Sequence, residues 1–220
     1  EQRRMAPAIS EFPSKFIYNR LLKDNAEVIN GKKKRDNDLV IKSAPLPGDA
    51  LNLIDLAGTY CAADKNTDGS RFNILSAVIS FSTAVKAEQN HIETVGIITP
   101  YAAQVRLIRA MLKDYYTKGT TNVSCATVHQ FQGSESDVIV FDAVESYPKS
   151  AVGYLMGKEP NQVARLINVA ITRGKGKVIT VANARFWENV FKGTNHIFYK
   201  LLQHIKNGKP HVIDNHDNPL

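Results

Sequence analysis

The sequence predicts an α/β fold, a mostly parallel sheet of about five or more strands with helices on both faces. Three observations carry this. Short runs of buried-type residues alternate along the chain with stretches whose apolar residues recur three and four positions apart, the βαβ pattern that needs right-handed crossovers. The run at 137–144 is nearly all apolar, as suits a central strand covered on both sides. A chain of 220 residues with 43% hydrophobic content can bury a core of one large domain. No internal repeat, low-complexity tract or linker divides it, so residues 1–220 read as a single domain.

In chain order, the Lys32-Lys33-Lys34-Arg35 run lies between Asn30-Gly31 and Asp36-Asn37-Asp38 and reads as a solvated loop. Residues 51–56 (Leu-Asn-Leu-Ile-Asp-Leu) read as a first strand. A helix follows from about residue 73, with Ile74, Val78, Phe81 and Val85 on one face. Residues 94–99 form a strand closed by Pro100, and the next helix buries Val105, Ile108, Met111, Leu112 and Tyr115. Strands at 123–128 and 137–144 come next, then a helix near 162–172 and a strand at 177–182. A last helix at 195–206 buries Ile197, Leu201, Leu202 and Ile205, with Gly208 as its stop signal and Pro210 beyond.

The formal net charge of +7 favours a polyanionic partner, nucleic acid or nucleotide. Two cysteines, Cys61 and Cys125, are too few for a disulfide framework or a zinc site and read as buried thiols of a reducing, cytoplasmic compartment. No stretch approaches the roughly 20 apolar residues of a membrane span. The start, Glu-Gln-Arg-Arg, has neither a signal-peptide apolar run nor an initiator Met, so the chain reads as a piece of a longer protein.

Four segments carry chemistry. Gln2-Arg3-Arg4-Met5-Ala6-Pro7 offers guanidinium forks suited to phosphate oxygens, or else a solvated arm. Thr99-Pro100-Tyr101-Ala102-Ala103-Gln104 marks a strand-to-helix turn whose unpaired helix-start amides suit a phosphate. Phe131-Gln132-Gly133-Ser134-Glu135-Ser136-Asp137 sits directly between two apolar strands, and Gly133 permits a tight turn near a phosphate; the bland reading is a polar connection. Asn168-Val169-Ala170-Ile171-Thr172-Arg173 puts an arginine at a helix C-terminus, which the dipole alone would favour, with Gly174 as a cap. There is no Gly-x-x-x-x-Gly-Lys-Ser/Thr loop and no Asp-Glu pair ending an apolar strand, so the chain does not carry a complete nucleotide site.

These segments, in this order, resemble the C-terminal half of the superfamily 1 helicases, most closely the 5′-to-3′ branch that includes the nonsense-mediated-decay helicase. The resemblance covers almost the whole chain. It implies a RecA-like P-loop NTPase-type fold acting as the second motor domain, with ATP and Mg2+ as ligands and the metal ligands in an upstream RecA-like domain of the same polypeptide. It implies that Arg173 is the arginine finger and that Arg4 reaches the γ-phosphate. Arg3 stands where the family often has an adenine-covering tyrosine, and Gln132, Gly133 and Glu135 fall at the nucleotide site. Thr99, Tyr101, Thr127 and His129 fall on the single-stranded nucleic-acid side, with DNA slightly favoured over RNA; taken alone, His129 reads as a packed histidine. All the motifs are expected at or just past the carboxyl ends of the strands. The rival readings are a non-catalytic nucleic-acid-binding module and a scaffold with a degenerate RecA-like fold.

Overall fold

The computed structural model describes residues 1–117, 119–157 and 159–208, and the backbone of 212–213. An amino-terminal arm leads into α1 (Pro7–Phe16), α2 (Ala26–Ile29) and α3 (Lys32–Lys42) before β1 (Leu51–Asp55). A small hairpin, β2 (Asp64–Lys65) and β3 (Arg71–Phe72), precedes α4 (Ile74–Gln89), β4 (Val95–Thr99), α5 (Ala102–Tyr115) and β5 (Val123–Thr127). Then come β6 (Ser136–Asp142), α6 (Tyr154–Gly157), α7 (Pro160–Thr172), β7 (Gly174–Ala182), α8 (Ala184–Phe191), α9 (Ile197–Asn207) and β8 (Val212–Ile213).

The main sheet has six strands in the order β5-β4-β6-β7-β1-β8, and every pairing in it is parallel. Alternation along the strands feeds two cores. Val95, Ile97, Val138 and Val140 point to the side covered by α4 and α5. Ile98, Ile139, Phe141 and Val178 point to the side covered by α1, α7 and α9. Helices on both faces are what a parallel sheet needs, because its near-continuous apolar strands cannot leave a face in water.

Several expectations are corrected. The Lys32–Arg35 run is the first turn of α3, not a loop. Cations at a helix start oppose the dipole, so packing sets this helix: Asn37 is buried, and Val40 lies so close to β7 that a Cβ on Gly176 would meet it at 2.6 Å. On α4 the buried face holds Ser76, Ala77, Ser80, Thr83, Ala84, Val85 and Ala87, while Ile74 and Val78 are exposed. The helix approaches the sheet through small residues, so of the expected apolar face only Val85 is buried and Phe81 packs against the core at its edge. Tyr115 is likewise exposed. Gly174 is no helix cap but the first residue of β7, paired with Ser136. Cys61 and Cys125 are free and buried, as expected. Pro210 lies outside the described residues. No helix among those described is long and apolar enough to cross a membrane.

Candidate functional site

The four segments do not gather at one end of the sheet. Thr99 and Thr127 end β4 and β5, but Glu135 precedes β6 and Arg173 precedes β7, which places both at the amino ends. The expectation of a single carboxyl-end site is therefore corrected. The link from 128 to 135 crosses a face of the sheet without a helix, and Phe131 packs so tightly over β4 that a Cβ on Gly96 would meet its Cζ at 2.5 Å. Gly133 turns this link with φ +93°, a conformation in which other residues are strained.

At the amino ends, Arg4, Glu135 and Arg173 converge. Gln2 folds the arm: its buried Oε1 accepts from the amides of Arg4 (2.9 Å) and Met5 (2.8 Å). Met5 and Ala6 are buried, and the Ala6 amide donates to the Lys175 carbonyl at 2.7 Å. The arm then presents the Arg4 guanidinium, whose Nε lies 2.5 Å from Glu135 Oε2 and whose Nη1 donates to the Thr172 carbonyl at 3.2 Å. The first of these is an ion pair at contact distance, not a directed hydrogen bond. Arg173, ending α7, donates from Nε to the Val169 carbonyl (3.3 Å) and from Nη1 to the Ser134 carbonyl (3.4 Å). Partial burial and then the Arg4 charge lower its pKa, while Glu135 opposes them. Two guanidiniums thus flank one carboxylate, an arrangement suited to an anion carrying more charge than a single carboxylate.

Beside this group an open cavity of about 920 Å³ is lined by Arg4, Lys33, Asn37, Glu135, Asp137 and Lys175, among others. α3 braces the arm here, with Lys33 Nζ donating to the Arg3 carbonyl at 2.8 Å and Asn37 Nδ2 to the Arg4 carbonyl at 3.3 Å. Asp137 ties the strand starts together: it accepts from the Thr94 amide and hydroxyl (3.0 and 2.7 Å) and pairs with Lys175 at 2.7 Å. The Arg3 side chain is largely solvated, 3.8 Å from Glu1. Gln132 is exposed.

At the carboxyl ends the picture differs from expectation. Thr99 is fully buried and Tyr101 is 5% exposed, so neither is presented to a groove. The Tyr101 hydroxyl donates to Glu145 Oε1; burial and the neighbouring carboxylate push its pKa up. Glu145, itself buried, also pairs with Arg71 and accepts from the Gly153 amide at 2.8 Å. The helix-start amide of Ala103 is taken by the Ser70 hydroxyl at 3.0 Å. The aromatic ring is thus drawn into a buried polar network, and an exposed contact is left to its neighbours. Thr127 is half-buried, and His129 is exposed, not packed.

Gln104 is the other structural hub. Its buried amide bridges the Asn73 backbone (2.8 and 3.0 Å), the Ser76 hydroxyl (3.0 Å) and Asp142 Oδ2 (2.6 Å). Sequence reasoning missed Glu145, Asn37 and the Gln104–Asp142 contact. The one available signal was Gln104 itself, an amide closing a quoted motif. No group of three or more metal-ligating side chains occurs among the described residues.

A family model described as an AAA domain matches residues 1–185. DNA polymerase alpha-associated DNA helicase A of Schizosaccharomyces pombe is 29% identical over 214 residues, 93% of this chain and 30% of that protein. The regulator of nonsense transcripts 1 homolog of Drosophila melanogaster is 30% identical over 197 residues, 84% of this chain and 15% of that protein. The chain therefore spans less than a third of the length of these relatives. A solved C-terminal domain of a possible DNA helicase from Lactobacillus plantarum WCFS1 overlaps 83% of the chain with 12% identity and a TM-score of 0.45.

Proposed function

Because the chain belongs to the superfamily 1 helicases, in the branch of the nonsense-mediated-decay helicase, we propose that it serves as the second RecA-like motor domain of an ATP-dependent enzyme. Its amino-end surface meets ATP held by an upstream RecA-like domain, and its carboxyl-end surface meets single-stranded nucleic acid, DNA slightly ahead of RNA. The observation that carries this is the convergence of Arg4, Glu135 and Arg173 from three distant parts of the chain.

The roles divide by geometry. Arg173, already close to the Arg4 charge, neutralises charge that develops on the γ-phosphoryl group during hydrolysis, a contribution of about three to five orders of magnitude in related nucleotide hydrolases. Arg4 holds the γ-phosphate in the ground state as well. Glu135 orients Arg4 and meets the ribose, Gln132 and the Gly133 backbone close the turn around the nucleotide, and Arg3 stacks on the adenine. Mg2+, when bound, neutralises β- and γ-phosphate oxygens; its ligands belong to the upstream domain. On the strand side Thr127 and His129 make the contacts, and Thr99 and Tyr101 support them from beneath. Gripping the backbone at one end and the phosphates at the other lets domain closure convert turnover into stepping.

The test is Arg173→Ala in the full-length protein, assayed for strand-saturated ATPase with a parallel thermal melt. A finger works mainly in the transition state, so turnover falls far more than nucleotide affinity. Arg173→Lys rescues poorly, because an ammonium lacks the planar two-donor fork. Near-normal turnover in Arg173→Ala with a small loss of stability would overturn the motor reading in favour of a non-catalytic binding or scaffold module.

A further inference from the structure

We propose that Tyr18 is a further nucleotide-facing residue, a phenolic donor to a γ-phosphate oxygen, set beside Arg173 by Asn168; this rests on the reading of the amino-end surface as a nucleotide site. Tyr18 follows α1 and is 40% exposed. Asn168 Nδ2 donates to the Tyr18 hydroxyl at 2.8 Å. A phenol that accepts one hydrogen bond still has its own proton to give. Asn168 lies on α7 five residues before Arg173, and its carbonyl accepts from the Thr172 hydroxyl at 2.7 Å.

The local backbone supports a placed side chain. Asn19 and Arg20 have φ of 48° and 61°, two successive non-glycine residues in the left-handed region. Asparagine tolerates this readily, whereas in arginine it is a strain that the surrounding contacts must hold. The turn is held by the Arg20 amide to the Ser14 carbonyl (2.6 Å) and the Leu21 amide to the Tyr18 carbonyl (2.8 Å). One segment thereby touches α7 from both of its ends, Arg4 at the Thr172 carbonyl (3.2 Å) and Tyr18 at Asn168. Arg173 folds back along α7 towards the same place, its Nε donating at 3.3 Å to the carbonyl of Val169, the residue after Asn168. A phenolic hydroxyl close to a guanidinium complements a phosphate oxygen, which accepts from both.

The experiment measures equilibrium affinity of the full-length protein and its Tyr18→Phe variant for a non-hydrolysable ATP analogue and for ADP. Loss of one neutral hydrogen bond predicts affinity for the triphosphate weaker by about threefold to tenfold, with ADP affinity and the melting temperature unchanged. Unchanged affinity for both nucleotides, or equal losses for both, overturns the assignment of Tyr18. Failure of the unsubstituted protein to bind the analogue overturns instead the reading of this surface as a nucleotide site, and the Tyr18 assignment with it.

Discussion

Arg4 Nε lies 2.5 Å from Glu135 Oε2, joining the amino-terminal arm to the turn that precedes β6. Neither residue belongs to a helix or strand, so each is held only by its surroundings: Gln2 and α3 for the arm, Phe131 and Gly133 for the turn. The pair is half-exposed on both sides, which makes it a poor source of stability and a good positioning device.

Glu135→Gln is therefore predicted to leave the fold nearly intact, a cost of about 0–1 kcal/mol as for other exposed pairs. Arg4 loses the charge that orients it, and kcat/KM for ATP falls roughly tenfold, or about 1.4 kcal/mol of transition-state stabilisation. Steady-state kinetics beside a denaturant melt check this. A large fall in stability with kinetics preserved would assign the pair a structural role.

The strands at 51–55, 95–99, 123–127 and 136–142 and the helices α7 and α9 were legible because their apolar period and flanking turns agree. The basic turn of α3 was not, since its cations oppose the helix dipole and Asn37 and Val40 act through distant partners, the Arg4 carbonyl and Gly176 of β7. The burial of Tyr101 was equally hidden, because its partner Glu145 is an acidic residue after a strand with no periodic signal. Motif residues could be named from sequence. Their division between the two ends of the sheet depends on the helix-free crossing from β5 to β6, which the eye reads as one continuous site.

Tyr101→Phe separates support from contact. It removes one of the donors to buried Glu145, leaving Arg71 and the Gly153 amide. Stability falls by about 1–3 kcal/mol, whereas affinity for a single strand at low salt stays unchanged in the folded protein. His129→Ala, at an exposed site, does the reverse. Denaturant titration and fluorescence-anisotropy binding of both variants decide it; a Tyr101→Phe protein of normal stability that fails to bind would restore a direct contact.

Gly96→Ala probes the crossing segment. The added methyl meets Phe131 Cζ at 2.5 Å and Ile139 Cδ1 at 2.8 Å, so the ring must shift. Overpacking of this kind costs typically 1–3 kcal/mol, on the order seen in other cores. Because Phe131 begins the turn that carries Gln132, Gly133 and Glu135, KM for ATP rises as well. A protein destabilised to this extent with KM unchanged would show that the turn is set independently of β4.

Asp142 gives the pH dependence. It is fully buried at the end of β6, accepting from Gln104 Nε2 at 2.6 Å and the Val144 amide at 3.0 Å. Burial raises its pKa from 3.8 to about 6, against the opposing hydrogen bonds of Gln104, Ser76, Val144 and Ser80. A carboxyl whose folded pKa lies above its unfolded value stabilises the protein fully below the unfolded value, and that contribution is lost as pH rises through the folded one. The window here runs from 3.8 to about 6, with a slope of at most about 1.4 kcal/mol per pH unit. Other groups also titrate, with Glu88 and Asp64 lowered and so acting in the opposite sense, and the clean quantity is a difference between two proteins. Asp142→Asn cannot ionise, and the shifts of Glu88 and Asp64 cancel in the comparison. The substitution is predicted to cost more stability at pH 4 than at pH 7, because at pH 7 the unsubstituted protein already bears the penalty of a buried carboxylate. Urea unfolding of both proteins at the two pH values measures this directly. A cost that is the same at both would mean that Asp142 keeps an ordinary pKa despite its burial, and a cost larger at pH 7 that its pKa is lowered instead.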